Sequence, residues 1–322
     1  MTARIALIVE WDNARLSEVD RAREMLRRLS SQATQAARRS NQRFDLTLVY
    51  DPETIAPEIP RAILAECVDE RSWPGDVALI EAPGQHYYEQ KNFGVKHVDA
   101  DIIILIDSDV IPDDNWLENL LEAMRDPAVG VVSGETYLAT DTYYDRLLAA
   151  FWLFETKKQP RGLYEAKNFY ANNVAFRADI IRRHPFPMAE TYRGQCATLA
   201  KTLRAAGIKL HRSGSAMVSH PPPSGLAHFV NRAICHGHDI VLSNRTKRAG
   251  WLLASPVGAL FRFARDIALA PSRVIQRRKA SVRSFSGAVL AFLLAVAYAT
   301  MKLFGEVATF LSPRFVRNNF SI

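Results

Sequence analysis

The sequence predicts an α/β protein: a mainly parallel sheet covered by helices on both faces, followed by a helical C-terminal tail associated with a membrane. Three observations carry this. Apolar runs alternate with helical patterns over the first 140 residues, as β–α–β units require. Ile102–Ile106 is an unbroken run of branched apolar residues, which suits a strand buried on both faces. A basic segment then runs directly into a long apolar stretch near the C-terminus, an order suited to an anionic bilayer surface.

The elements follow in order. Ile5–Val9 is a buried strand. Ser17–Gln42 is a helix: Ser17 with Asp20 marks its N-cap, and Val19, Ala22, Leu26, Leu29 and Ala33 repeat at helical spacing. Phe44–Tyr50 is the second strand, Ala62–Val68 a short helix and Val77–Glu81 the third strand. Tyr87–Val98 is helical with Gly94 as a weak point, and the Ile102–Ile106 strand is followed by a helix over Asp113–Arg125. Further on come a strand over Val129–Tyr137, a helix over Tyr143–Phe154 and a strand over Phe169–Arg177. A helix over Gln195–Ala206 is stopped by Gly207. Short strands over Lys209–Arg212 and Ala216–Ser219 flank Ser213-Gly214, and Leu226–Leu242 is a helix.

Composition sets the outer limits. Of 322 residues, 48% are hydrophobic and 23% charged, which excludes a disordered chain and permits a sizeable core. Cys67, Cys196 and Cys235 form no CxxC pair, so a disulfide scaffold and a standard zinc module are not expected and a reducing compartment fits. The crowded Cys235-His236-Gly237-His238-Asp239 run lacks zinc spacing. No signal peptide is expected, because the Ile5–Val9 run is short and meets Glu10 and Asp12 at once.

Net charge is +7, and it is unevenly spread: Arg245–Arg283 holds ten lysines and arginines against one acid, Asp266. That segment lacks interleaved aromatic platforms, so nucleic acid is not the expected partner. Residues 1–245 are therefore expected to form the globular domain and 246–322 the tail. Ser255-Pro256 starts a helix, with Val257, Leu260, Phe261, Ala264 and Ala268 on one face, Arg262, Arg265 and Asp266 on the other, and Pro271 as its stop. Gly287–Met301 carries no charge over fifteen residues. At ~1.5 Å per residue it covers about 22 Å, short of the roughly 30 Å hydrocarbon core. Extended to Leu311 it is long enough but includes Lys302 and Glu306, four apart and able to pair. The tail is read as monotopic or single-span, with a buried core helix as the alternative.

Ligands of parallel sheets bind beyond the carboxyl ends of the strands. That selects Glu10–Asn13, Asp51 and Asp107–Asp109. Asp107-Ser108-Asp109 follows the buried strand directly, and alternate carboxylates at a chain turn can converge on a hard cation. Mg²⁺ or Mn²⁺ would take such oxygens while keeping water and substrate phosphates, and would neutralise charge on a leaving diphosphate. The alternative is a pair of loop aspartates capping the next helix.

Taken as an ordered set, these motifs resemble family 2 glycosyltransferases with the Rossmann-like nucleotide-diphospho-sugar fold called GT-A. Ile5–Val9 with Glu10-Trp11-Asp12-Asn13 is similar to the first strand and its nucleotide-contacting loop. Leu46–Asp51 is similar to the second strand, whose terminal aspartate contacts the base. Lys91-Asn92-Phe93-Gly94 resembles the helix under the ribose and diphosphate. Asp107-Ser108-Asp109-Val110 with Pro112 and Trp116-Leu117 resembles the metal motif, and Ala171-Asn172-Asn173-Val174-Ala175-Phe176-Arg177 the acceptor-side strand. The resemblance spans roughly residues 3–245. It implies a third metal ligand at His220, acceptor-side positions at Asn172 and Asn173, and a phosphate contact from Arg232, which with Gly237 fits an Arg-x-x-x-x-Gly pattern. Beside it, Glu10, Asp12 and Asp51 can accept from ring N–H groups, and Lys91 can offset diphosphate charge.

One motif departs from the family. Where relatives carry Gly-Glu-Asp, with the aspartate as base, this chain reads Arg193-Gly194-Gln195-Cys196. Glutamine is no base near neutral pH, and a thiol of pKa ~8.5 is an awkward one. Three explanations stay open: Glu190 supplies the carboxylate; the acceptor is an ionised polyprenyl phosphate needing no base; or the protein binds donor without turnover, as a non-catalytic assembly partner. Arg193 can clamp acceptor phosphate or pair with Glu190. A nucleotidyltransferase is disfavoured, since no Gly-rich basic loop is present near the N-terminus. The expected activity is metal-dependent inverting transfer of a hexose from a nucleoside-diphosphate sugar to a lipid-linked or glycan acceptor. The expected place is the cytoplasmic face of the cell membrane, in cell-envelope polysaccharide synthesis.

Overall fold

The structure, a computed structural model, describes residues 3–15, 19–245, 253–278 and 281–320. Ser17, the expected N-cap, lies outside the described residues, as do residues 246–252 at the expected start of the tail and Lys279 of the basic segment. The chain divides into two compact units: Met1–Thr136 with Lys158–Met188 and Gln195–His220, and Tyr137–Lys157 with Ala189–Gly194 and Pro221–Ile322. Pro221 onward and two earlier segments group with the expected tail in the second unit.

In the first unit, strands β1 (Arg4–Glu10), β2 (Arg43–Tyr50), β3 (Val77–Glu81) and β4 (Ile102–Asp107) are mutually parallel in the order β3-β2-β1-β4. Beyond β4 the sheet continues through β8 (Asn173–Arg177), β6 (Val131–Leu138), β9 (Leu210–His220) and the two-residue β5 (Ile111–Pro112), while β7 (Leu163–Ala166) pairs with β9. Pairings β4–β8, β6–β8, β5–β9 and β7–β9 are antiparallel. The sheet is therefore mixed, with its parallel part first in the chain.

Period-2 alternation explains why the first strands are apolar throughout. Leu7, Val9, Ile104 and Ile106 join one core with α1 (Val19–Ser40), α2 (Glu58–Cys67) and α4 (Trp116–Ala123). Ala6, Ile8, Ile103 and Leu105 join a second core with α3 (Tyr87–His97), α6 (Ala178–Arg183) and α7 (Gln195–Ala205). Gly94 is no weak point of α3. A Cβ there would stand 2.6 Å from Ile8 Cγ2, so its absence lets the helix seat on β1.

Two expected strands around Ser213-Gly214 are one continuous strand, β9, because β7 and β5 pair along its length. The short elements β5, β7 and α6 were not expected; each owes its form to a partner distant in sequence or to a preceding strand.

The second unit is helical: α5 (Tyr143–Ala149), α8 (Gly225–Arg245), α9 (Pro256–Arg277), α10 (Phe285–Leu311) and α11 (Pro313–Asn319). Ser255 caps α9 as expected, accepting from Gly258 N, but Pro271 lies inside that helix instead of ending it. Helices α8 and α10 cross closely: a Cβ on Gly237 would lie 2.1 Å from Lys302 O, and one on Gly305 2.1 Å from Ile234 O. Lys302 and Glu306 do not pair with each other. Glu306 accepts from Arg262 and Lys302 donates to Asp266, so both bonds link α10 to α9.

Candidate active site

The register between β1 and β4 sets Glu10 directly beside Asp107 at the carboxyl ends of the strands. The backbone turns sharply after Glu10, and Glu10 itself shapes that turn. Its Oε2 accepts from Asp12 N (2.8 Å) and Asn13 N (3.3 Å), and its Oε1 from Asn13 Nδ2 (2.9 Å). Asn13 Nδ2 also reaches Asp107 Oδ2 at 3.0 Å. Burial pushes the Glu10 carboxyl well above its usual range; the neighbouring Asp107 adds to this, and Lys91 opposes it.

Helix α3 supplies the counter-charge. Lys91 Nζ lies 2.6 Å from Asp107 Oδ1, and Tyr87 OH lies 2.9 and 2.8 Å from the two Asp107 oxygens. One turn of the same helix also brings Gln90, whose Oε1 accepts from Trp11 N at 3.1 Å. These side chains sit at i, i+3 and i+4 and so share the face laid on the strand ends. Lys91, expected at the diphosphate, and Asp107, expected at the ion, are in addition partners of each other.

Asp109 faces a different neighbour. Its Oδ2 lies 3.9 Å from His220 Nε2. The β5–β9 pairing creates this proximity by setting Ile111 opposite Ser219 and Pro112 opposite Val218, so that Asp109, two residues before Ile111, comes near His220, the residue after Ser219. Arg21 of α1 ties the two segments together: its Nε donates to Asp109 O (2.6 Å), and its Nη2 to Ser219 O and Oγ (2.9 Å each). No local pattern marks Arg21, Tyr87 or Gln90 in the sequence, because their partners lie 20 to 198 residues away.

Asp109 offers the carboxylate oxygen that a hard divalent ion prefers, and His220 an imidazole nitrogen beside it. Two ligands at ~2.1 Å from one Mg²⁺ or Mn²⁺ are at most about 4.2 Å apart, and the Asp109–His220 separation falls within that. Among the described residues no group of three or more His, Cys, Asp or Glu side chains surrounds one position. An ion held by Asp109 and His220 would thus keep places for water and substrate phosphate, as Mg²⁺ commonly does.

The remaining expected residues divide. Asp51 is buried at the end of β2, where its Oδ1 accepts from Glu53 N (3.0 Å) and Gly84 N (3.1 Å). Asp12 is buried in the loop after β1. Asn92 exchanges two hydrogen bonds with the Phe186 backbone, at 2.9 and 3.0 Å. Asn173 accepts from Trp116 Nε1 at 2.7 Å and donates to Ala216 O at 3.2 Å, and Asn172 accepts from Thr136 at 3.1 Å. Asn92 and Asn173 therefore cross-link the fold. Gln195 and Cys196 open α7, and burial pushes the Cys196 thiol up, away from a usable thiolate.

Glu190, Arg193 and Arg232 belong to the second unit. The Glu190 carboxylate is 68% exposed, with Arg317 at 3.7 Å. Asp239 on α8 accepts from Tyr192 N (2.8 Å) and Arg193 N (2.9 Å). Burial pushes its carboxyl up to about 7, against the two amides and the charges of Arg193 and Arg232. The crowded Cys235–Asp239 run thus has a structural use: it positions the loop that carries Glu190 and Arg193.

The sequence model of the family described as Glycosyl transferase family 2 matches residues 20–184, just over half of the chain. The chain belongs to that family. No curated protein matches it by sequence. The solved structure of the mannosyltransferase PcManGT from Pyrobaculum calidifontis, in complex with GDP-Man and Mn²⁺, is similar over 97% of this chain and 88% of that one. The identity is 15% and the TM-score 0.56. S. aureus TarS 1–349 in complex with UDP-GlcNAc is similar over 97% of this chain and 92% of that chain, at 10% identity and TM-score 0.48. The protein is a glycosyltransferase of family 2 with a GT-A fold.

Proposed function

We propose that this protein is a metal-dependent inverting enzyme that moves a hexose from a nucleoside-diphosphate sugar to a lipid-linked or glycan acceptor. It works at the cytoplasmic face of a membrane, in cell-envelope polysaccharide synthesis, with residues 1–245 as the catalytic GT-A part and 246–322 as the membrane-associated tail. The observation that carries the reading is the Asp109–His220 pair, held by Arg21 beyond the carboxyl end of β4. The donor complex of PcManGT supports a nucleotide-sugar as donor.

In this reading Asp12, Asn13 and Asp51 line the nucleotide end. Asp107 holds that end in shape, with Lys91 and Tyr87 balancing its charge. A divalent ion bound by Asp109 and His220 would neutralise charge on the leaving diphosphate. In the transfer, the acceptor oxygen attacks the anomeric carbon from the face opposite the diphosphate. The C1–O bond breaks, its electron pair stays on the β-phosphate oxygen, and the configuration inverts. A hydroxyl acceptor gives its proton to Glu190, a carboxylate open to solvent on the acceptor loop. Arg193 and Arg232 offer positive charge to acceptor or donor phosphate, and Asn172 belongs to the acceptor side.

A second reading of the acceptor is supported by the Gln195-Cys196 pair, where neither side chain is a competent base. A polyprenyl phosphate is already ionised and needs none, and a membrane-associated tail would bring such a lipid to the enzyme. The test is a panel of nucleoside-diphosphate sugars scored for thermal stabilisation with and without Mn²⁺, since a ligand of the native state alone raises its apparent stability. The reading expects one donor to shift the midpoint only when Mn²⁺ is present, and Asp109→Ala to abolish the shift. Equal shifts without metal would remove the metal from the proposal.

A further inference from the structure

We propose that α9 and α10 lie side by side in one leaflet of an anionic bilayer, parallel to its surface, so that α10 is embedded along its length without crossing. This rests on the membrane attachment in the proposed function and adds how the attachment is made. By length and composition α10 is able to span: it has 27 residues, about 40 Å at ~1.5 Å per residue. Its surroundings argue for the flat arrangement.

The two helices are turned inside out relative to helices of a soluble domain. Along α10 the buried row is small, with Gly287, Ala291, Ala295 and Ala299, whereas Phe285 (79% exposed) and Leu311 (84%) face outward. On α9 Val257, Leu260 and Phe261, the last 66% exposed, face outward together with Ile275, and the charged Arg262 is buried. The inward charges meet their opposites: Arg262 with Glu306, and Asp266 with Lys302. As one partner advances in sequence the other recedes, so the helices run antiparallel. A pair that holds Arg262, Asp266, Lys302 and Glu306 in ion pairs and presents large apolar side chains outward fits hydrocarbon, and the exposed Arg265 and Arg273 of α9 can reach the headgroups of the same leaflet.

The ends decide the orientation. Exposed arginines stand at both: Arg278 and Arg283 at the turn between the helices, and Arg314 and Arg317 beyond the other end of α10. At the turn, Arg277 donates to Trp152 O (2.6 Å) and reaches Glu155 Oε1 (3.2 Å). A spanning α10 would carry one arginine cluster, with its Trp152–Glu155 contacts, to the far side. The close Gly237–Gly305 crossing would also draw α8 into the bilayer, although α8 bears Asp239, which holds the Tyr192 and Arg193 amides. A flat pair leaves both clusters among the anionic headgroups of one leaflet, where each basic residue adds attraction.

The test has two arms, both with the full chain. First, purified protein is floated with vesicles of phosphatidylcholine and phosphatidylglycerol. Wild type should float, and the double variant Leu260→Glu/Phe261→Glu should bind at least about tenfold less. Its thermal midpoint in detergent should be unchanged, since both side chains are exposed. Second, Ser286→Cys and Asn318→Cys, at opposite ends of α10, are treated with a membrane-impermeant maleimide in inside-out vesicles from the producing cells. Labelling of the native cysteines in wild type is the background. Both positions should label equally before and after detergent. Protection of either one until detergent is added overturns the flat arrangement while leaving attachment intact. Failure of wild type to float ends the attachment itself, and self-association without flotation assigns the apolar face to a second copy of the chain.

Discussion

Lys91 and Asp107 form an ion pair that water does not reach, with Nζ 2.6 Å from Oδ1 and side-chain exposures of 0% and 3%. Tyr87 and Asn13 satisfy the other Asp107 lone pairs, so the pair meets the condition under which burial of two charges is tolerated. Breaking such a pair from one side leaves an uncompensated buried charge. Lys91→Met should therefore destabilise the protein by about 3–5 kcal/mol, read from the urea midpoint at constant slope. A loss of donor affinity with unchanged stability would show instead that Lys91 serves the diphosphate.

Asp109 and His220 are assigned the ion. Asp109→Ala and His220→Ala should each reduce metal-dependent donor turnover by about a hundredfold or more, with Asp109→Ala the more severe because it removes a charge. Adding Mn²⁺ should partly rescue His220→Ala, which keeps the carboxylate, and should not rescue Asp109→Ala.

Arg21 touches neither ion nor donor in this assignment; it holds Asp109 and Ser219 in place through their backbone carbonyls. Arg21→Gln should raise the Mn²⁺ concentration needed for half-maximal activity by roughly tenfold. Activity at saturating Mn²⁺ should fall much less. A purely structural role would lower the thermal midpoint with no change in the Mn²⁺ titration.

Asp239 predicts a pH dependence of stability. Its carboxyl is raised to about 7 in the fold, against about 3.9 in an unfolded chain. The folded state therefore holds the proton more tightly than the unfolded one between these values. Stability from this group is present below about pH 4 and is lost as pH rises toward 7. The total is on the order of 2–4 kcal/mol. Asp239→Asn removes the titration and keeps one of the two oxygens that accept from the Tyr192 and Arg193 amides; the cost of the lost acceptor does not vary with pH and leaves the slope unaffected. The wild-type-minus-variant difference in denaturation free energy should slope between pH 4 and 7 and be flat from pH 7.5 to 9. Glu10 is raised as well but is common to both proteins, so the subtraction removes it.

Glu190 separates the two acceptor readings. With a hydroxyl acceptor, Glu190→Gln should cost roughly a hundredfold to ten-thousandfold in transfer and leave donor binding unchanged. With a polyprenyl phosphate acceptor the same variant should transfer nearly as well as wild type.

Much of the first unit was legible because its signals are local. The apolar runs of β1, β2, β3 and β4 carry their own burial pattern, and Asp107-Ser108-Asp109 stands where a strand ends. Extents were less legible where partners were remote. Strand β9 is continuous across Ser213-Gly214 only because β7 and β5 pair along it, and Pro271 stays within α9 despite its lost amide hydrogen bond.

The candidate site shows the same division at finer grain. Residue identity and strand position alone bring Glu10, Asp12, Asp51, Asp107 and Asp109 to one end of the sheet. Which carboxylate meets which partner depended on register and helix rotation. The β1–β4 register sets Glu10 against Asp107, the seating of α3 delivers Lys91 and Tyr87 to Asp107, and the β5–β9 pairing brings His220 to Asp109.

By itself the amino-acid sequence determined the kind of protein: an α/β glycosyltransferase of family 2 whose basic charge and longest apolar stretch are concentrated late in the chain. Periodicity and composition are properties of neighbouring residues, so a linear reading recovers them. Only the tertiary structure decided the pairing of charges. Lys302 and Glu306, four apart on one helix, look like partners in sequence, yet each turns to α9 instead. The side-by-side arrangement of two helices offers Arg262 and Asp266 at matching heights, and a buried charge pairs with whichever opposite charge the packing brings within reach.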